Sequence, residues 1–323
     1  MPHKYMNLDF FHFSAWRMGA IRASLVVLAG AALLAGPAHA QLSYSSGQPV
    51  SPAFEGWDQN PDGSFNMIFG YMSQNWEEEI EVPVGPNNNI SPGPADQGQP
   101  THFYPRRNRF VFKVKVPKDF GQKEVVWTLN VHGRMLKAYA TLKQDFFTDN
   151  MVMASETGAL GAGVSSPEIR ANTPPTVEAV GDSKVVAKAG QPLTLFAMVK
   201  DDGVPKPRPR QTFLNPQRPV PDLRMIPPRQ ITVGSSTGLW AALEVYRGPG
   251  KVTYEQDQVK PWEDTRAGAN SQWAPGWVAP AAPKDGKWSA TVTFDPPGTY
   301  VMRWHASDGA LTADQDVTVT VTK

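Results

Sequence analysis

Val125-Val126-Trp127-Thr128-Leu129-Asn130-Val131 runs directly into His132-Gly133. Val125, Trp127, Leu129 and Val131 take alternate positions, the period of a strand with one face turned to a core, and the dipeptide after them signals a hairpin into Lys137–Leu142. The same period runs through Phe65, Met67, Phe69 and Tyr71, a strand opened by the turn Asn60-Pro61-Asp62-Gly63. It returns in Phe110, Phe112, Val114 and Val116, with Val111, Lys113 and Lys115 between them marking a solvated face. Val82–Pro105, dense in Pro, Gly and Asn, reads as a long ordered loop or excursion. Short strands separated by such turns predict an antiparallel sandwich.

Farther along, Leu193, Leu195, Ala197 and Val199 alternate up to Asp201-Asp202-Gly203. Tyr300, Met302, Trp304 and Ala306 do the same up to Ser307-Asp308-Gly309, and Val317-Thr318-Val319-Thr320-Val321 supplies the last strand. Residues 151–176 carry Gly158, Gly161, Gly163, Ser165, Ser166 and Pro174-Pro175, the composition of a flexible linker. The expected fold class is therefore all-β, with two antiparallel β-sandwich domains, 41–150 and 177–323, on either side of that linker.

Composition agrees. Of 323 residues, 27 are Gly and 31 are Pro, and so much proline argues against a mainly helical chain, because each interior proline removes a backbone donor. There is no cysteine, which excludes disulfides, thiolate metal sites and Cys nucleophiles. Thirty-one basic against 30 acidic residues give no case for a nucleic-acid partner. Arg17 and Arg22 precede an apolar run from Ala23 to Ala35 and the triplet Ala38-His39-Ala40, the pattern of a secretory signal peptide over residues 1–40 with cleavage before Gln41. Translation from Met18 would give a leader of more ordinary length. The run is too short to span a bilayer, so the product is expected to be exported to the periplasm or medium without a transmembrane anchor.

The second half carries a resemblance. Ala189-Gly190-Gln191-Pro192-Leu193-Thr194-Leu195, Asp201-Asp202-Gly203, Tyr246-Arg247-Gly248-Pro249-Gly250, Thr293-Phe294-Asp295-Pro296-Pro297-Gly298-Thr299-Tyr300 and Ala306-Ser307-Asp308-Gly309 together resemble the immunoglobulin-like PKD-type repeats of bacterial surface and secreted proteins. The resemblance covers residues 177–323 and implies an immunoglobulin-like second sandwich. Two long insertions, near 204–230 and 258–287, depart from the pattern, as does Leu239-Trp240-Ala241-Ala242-Leu243-Glu244-Val245 where such repeats carry a Trp-centred strand. The N-terminal half resembles uncharacterised exported bacterial proteins, which implies no function.

Several constellations invite chemistry. Gly234-Ser235-Ser236-Thr237-Gly238 matches G-x-S-x-G, yet a nucleophile elbow needs a parallel sheet and a later His, and His305 alternates with Val301 and Arg303 on an antiparallel strand. A polar turn is the simpler reading. Glu77-Glu78-Glu79 and Glu81 beside Trp76 would suit a glycosidase acid, but such a run more often marks a solvated strand edge. His102, His132 and His305 show no ligand spacing with one another or with a carboxylate pair. No cofactor is expected except a calcium ion, for which Asp201, Asp202 and Asp308 would converge at one end of an immunoglobulin-like sandwich; the competing reading is ordinary Asp-Gly turn chemistry.

Loops on a rigid scaffold carry the expected function, a non-enzymatic binding or structural module facing a protein or cell-envelope partner. The first insertion offers Arg208 and Arg210 among its prolines, as planar donors or as parts of a stiff solvated loop. The second offers Trp262, Trp273 and Trp277, with Trp288 just after, either as flat faces for carbohydrate binding or as rings that pin the loop to the sandwich. A hydrolase working through Asp and Glu is the third class.

Overall fold

A computed structural model gives the fold and describes residues 44–157, 166–207, 236–264, 269–274 and 277–323. The leader and cleavage site, Arg208 and Arg210 lie outside these residues. Among them, no helix is long and apolar enough to cross a membrane.

The alternating runs form the strands they predict. In the first sandwich, β1 (Val50–Gln59), β2 (Phe65–Ser73) and β6 (Arg106–Val116) make one antiparallel sheet in the order β1-β2-β6. Its partner sheet has the order β4-β7-β8, from β4 (Asn88–Ser91), β7 (Val125–Val131) and β8 (Arg134–Ala140). Phe69 and Phe112 of the first sheet pack on Trp127 of the second at ring separations of 5.9 and 4.9 Å, and all three rings are buried. Each such ring carries apolar area worth roughly 25 cal/mol per Å² removed from water. His132 (φ 50°) and Gly133 (φ 75°) are the two central residues of the β7–β8 hairpin, both left-handed as a type I′ turn requires.

One expectation for this half changes. Phe110 does not join the row of Phe112, Val114 and Val116: the register passes from Phe69↔Phe112 to Tyr71↔Asn108, and Phe110, at φ 53°, is the bulged residue. Val82–Pro105 is an ordered excursion that contains β4 and β5 (His102–Phe103), the latter paired with β3 (Ile80–Glu81). Asn88, fully buried, ties this excursion down. Its amide donates to the Val82 and Pro100 carbonyls at 2.9 and 2.8 Å and its Oδ1 accepts from Trp127 Nε1 at 3.0 Å.

The second sandwich is built from β9 (Thr176–Val180), β10 (Lys184–Lys188), β11 (Pro192–Lys200), β12 (Trp240–Arg247), β13 (Val252–Tyr254), β14 (Lys287–Phe294), β15 (Gly298–Ser307) and β16 (Thr312–Thr322). Its sheets have the orders β13-β14-β11-β9 and β10-β16-β15-β12. Named in sequence, that is D-E-B-A facing A′-G-F-C, the immunoglobulin arrangement, with the parallel β10–β16 pair as its one departure from antiparallel pairing among the named strands. Tyr300 lies at the start of β15 and its hydroxyl donates 2.9 Å back to the Pro296 carbonyl, the corner tie of that fold. Core side chains alternate as expected: Leu195, Ala197 and Val199 face Met302, Trp304, Val317 and Val319 in one buried cluster.

The stretch expected to be a flexible linker begins and ends, in its described parts, with short helices. Asp149 caps α1 (Asn150–Glu156) by accepting from Val152 N, and Ser166 caps α2 (Pro167–Ala171) by accepting from Ile169 N. Ala154 and Ile169 bury against Ala310 and Leu311, anchoring both helices to the second sandwich.

Candidate functional site

The outer face of the β10-β16-β15-β12 sheet alternates with its core face, so it should be solvated. Instead the first sandwich covers it. Tyr246 of β12 joins the core of the first sandwich, Thr101 N donates to the Tyr246 carbonyl at 3.2 Å, and Val245 N donates to the Tyr104 hydroxyl at 2.7 Å. Ionisable side chains are thereby trapped in the seam. The register sets Glu244 opposite Arg303 and Arg303 opposite Asp316, with His305 opposite Asp314 one step along. Arg303 bonds Asp316 through Nε at 2.7 Å and Nη2 at 3.0 Å, and His305 Nδ1 lies 2.6 Å from Asp314. Burial opposes the charge on His305, but Asp314 outweighs it and raises the imidazole pKa.

Across the seam His102 sits between two carboxylates, Nδ1 2.5 Å from Glu81 and Nε2 3.3 Å from Glu79. Burial alone would lower its pKa; the two acids override that and lift it to about 9. Glu79 in turn is held below the usual carboxylate range, since His102 outweighs its desolvation. Glu244 behaves in the opposite way. Burial pushes its carboxyl up to about 7, and no hydrogen bond or ion pair reaches it among the described residues.

Glu79 and Glu244 line one cavity of about 540 Å³, with Tyr104, Tyr254, Lys260, Trp262 and Asn270. β13 and the start of the second insertion form its roof. Trp262 stacks on Tyr104 at 4.9 Å and 13°, and the Lys260 ammonium lies 5.5 Å from its ring centre. Among the described residues the Trp262 indole N–H has no hydrogen-bond partner, although the residue is only 8% exposed. Tyr104 accepts from Val245 N, and its hydroxyl lies beside that of Tyr254.

Of the residues weighed from the sequence, Trp262 and Glu79 line this cleft among the described residues. The tryptophans do not form an outward row: Trp262, Trp273 and Trp277 are all buried. Trp277 packs edge-on against Trp240 at 6.1 Å within a cluster holding Ala242 and Ala274, which seals the insertion onto the apolar end of β12. Exposed rings of this size would leave a large apolar patch in water, and the insertion folds back to avoid it. Carbohydrate binding on exposed indole faces is thus not what these rings provide.

Asp201, Asp202 and Asp308 do lie at one end of the second sandwich, where Asn172 and Thr173 reach Asp308 and Asp202. Their oxygens serve turns. Asp308 accepts from Ala310 N and Leu311 N at 2.6 and 2.7 Å, Asp201 from Gly203 N at 2.8 Å, and Asp202 from Val204 N at 2.8 Å. Among the described residues, no group of three or more His, Asp or Glu is arranged to hold a metal ion. Ser236 of the G-x-S-x-G stretch is buried and donates to the Trp277 carbonyl at 2.7 Å, part of a turn packed on Gly309.

The ladder Glu244, Arg303, His305, Asp314 and Asp316 was hidden in the sequence as an ordinary polar row. Its one signal is that β12 is apolar on both faces, Trp240 and Ala242 as well as Ala241 and Leu243, which a strand facing water would not be. Each described histidine also meets a carboxylate from elsewhere in the chain, His132 facing Glu78 at 3.2 Å, a pairing that local spacing does not reveal.

No protein family and no curated protein matches this sequence. Among solved structures it is similar to the D00-D0 domain of intimin, at 10% identity and a TM-score of 0.22 over 84% of this chain and 100% of that one. Tandem Ig repeats of Dlar match at 9% identity and a TM-score of 0.23 over 85% and 98% of the two chains. Domains 4 and 5 of the S-layer protein SbsC match at 9% identity and a TM-score of 0.20 over 85% and 98%. The class rests on the strand order itself: an all-β chain with an immunoglobulin-like sandwich packed on a second antiparallel one.

Proposed function

We propose that this chain is an exported binding module that seats a saccharide segment of the cell envelope in the seam cleft, beneath the second insertion. The observation that carries this reading is a cavity of about 540 Å³ walled by Tyr104, Tyr254 and Trp262, into which Glu244 brings a carboxyl with no hydrogen-bond partner among the described residues. A cavity within roughly 300–1,000 Å³ is of the size taken by sites for small ligands or single polymer units, and this one sets three aromatic rings among a largely polar lining. Carboxyl, amide and ammonium groups from Glu244, Asn270 and Lys260 supply both acceptors and donors for hydroxyls. Contact of the 204–230 insertion with a protein or envelope partner would add to this seat rather than replace it.

Titration calorimetry of the full chain with chitohexaose and cellohexaose tests the reading. Binding of one of them, weakened at least about tenfold by Tyr254→Ala, is expected. Absence of heat with both, alongside an unchanged melting profile on their addition, overturns the saccharide seat.

A further inference from the structure

We infer that Glu244 and Glu79, which share the wall of the seam cleft, act as general acid and water-activating base on a glycosidic bond held there. The inference rests on the saccharide reading of the same cleft. Three observations carry it. Both carboxyls line one cavity large enough for a sugar unit. Glu244 comes from the middle of a strand buried on both faces and has no partner among the described residues, so the fold holds a carboxyl in place without using it structurally. The Trp262 indole N–H in the same wall has no hydrogen-bond partner among the described residues at 8% exposure, leaving a buried polar group for a ligand to satisfy.

The two acids are also set in opposite protonation states. Burial keeps Glu244 protonated up to about pH 7, while His102 keeps Glu79 ionised. Two carboxyl groups whose surroundings separate their proton affinities are the usual requirement for cleaving an acetal. Glu244 gives its proton to the glycosidic oxygen as the bond from that oxygen to the anomeric carbon breaks. A water molecule forms the new bond to that carbon and passes its proton to Glu79. The products are two hydroxyl-terminated sugars, and the proton returns from Glu79 to Glu244 through solvent. Tyr104 and Tyr254 flank the acid, and the titratable groups facing it are His305, Asp314, Arg303 and His102.

The experiment measures new reducing ends from chitohexaose and cellohexaose with the full chain across about pH 4 to 8, beside calorimetric binding of the same sugars. Release is expected, falling away above about pH 7. Glu244→Gln, which copies the shape of the protonated acid, is expected to keep calorimetrically measurable binding while losing at least about 100-fold in rate. Glu79→Gln is the second variant, with the same loss and retained binding. Binding by the wild type with no reducing ends at any pH overturns the hydrolytic inference and leaves the seat standing, as does a rate that survives Glu244→Gln. Absence of binding overturns both.

Discussion

The guanidinium of Arg303 lies 3.4 Å from the centre of the Tyr246 ring, while its Nη1 donates 2.8 Å to the Val111 carbonyl of the first sandwich. One side chain of β15 therefore touches β12, β16 and β6 at once, with Asp316 taking its remaining face. Arg303 is 9% exposed, and the carboxylates it meets, Asp314 and Asp316, keep side-chain exposures of 28% and 40%. Arg303→Ala should lower stability by about 1.5–3 kcal/mol, because it removes a charge-assisted hydrogen bond to Asp316 and leaves the Val111 carbonyl without its donor. Arg303→Lys should recover only part of this, since an ammonium cannot reproduce the planar fork. Urea denaturation is the measurement, and a loss below about 1 kcal/mol would show that the seam does not rely on this contact.

His102 makes stability pH-dependent in a definite direction. Its folded pKa, about 9, lies above its ordinary 6.5, so the protonated form is favoured by folding. That contribution is fully present below about pH 6.5 and is lost as pH climbs through about 9. Wild-type unfolding free energy should accordingly decline between those values, and His102→Gln should flatten the decline. Equal slopes in the two proteins would refute the Glu79–His102–Glu81 assignment.

How far the sequence foretells this site depends on which contacts are local. Alternation along Val125–Val131 and Tyr300–Ala306 is a property of each strand, so the strands, the hairpin at His132-Gly133 and most of the core were legible. The cover over a strand's second face is not local. Nothing near Arg303 announces that Val111 will lie across from it, so a partly covered charge ladder reads as a solvated row. Glu79 was visible only within an acidic run, and its pairing with His102 spans 23 positions of chain that fold back through β3 and β5. The insertion tryptophans were ambiguous for the same reason, since an indole seeking a sugar and one seeking a strand have identical neighbours in sequence.

Glu244 works against folding where it must ionise. Its carboxyl is raised from 4.5 to about 7 by burial, so its contribution is fully present below about pH 4.5 and is lost as pH rises through about 7. Glu244→Gln keeps the shape and removes the titration. The variant should match wild type near pH 4.5 and exceed it at pH 8 by an amount on the order of 1–3 kcal/mol. Paired urea curves at those two values check the sign; a variant weaker than wild type at pH 8 would mean that the carboxylate has a partner after all.

Trp277 separates scaffold from ligand contact. Its ring is buried edge-on against Trp240, it lines no part of the seam cleft, and its main-chain carbonyl holds Ser236. Trp277→Ala should therefore cost about 3–5 kcal/mol, the range for removing a buried aromatic ring, by leaving a void over β12. Trp240→Ala should cost a similar amount, and the double variant less than the sum, because the two rings fill one another's space. Neither change should alter hexasaccharide affinity by more than about twofold at a temperature where the variants remain folded. If Trp277→Ala abolishes binding without loss of stability, the ring is a ligand contact and the insertion is not pinned in the way its packing implies.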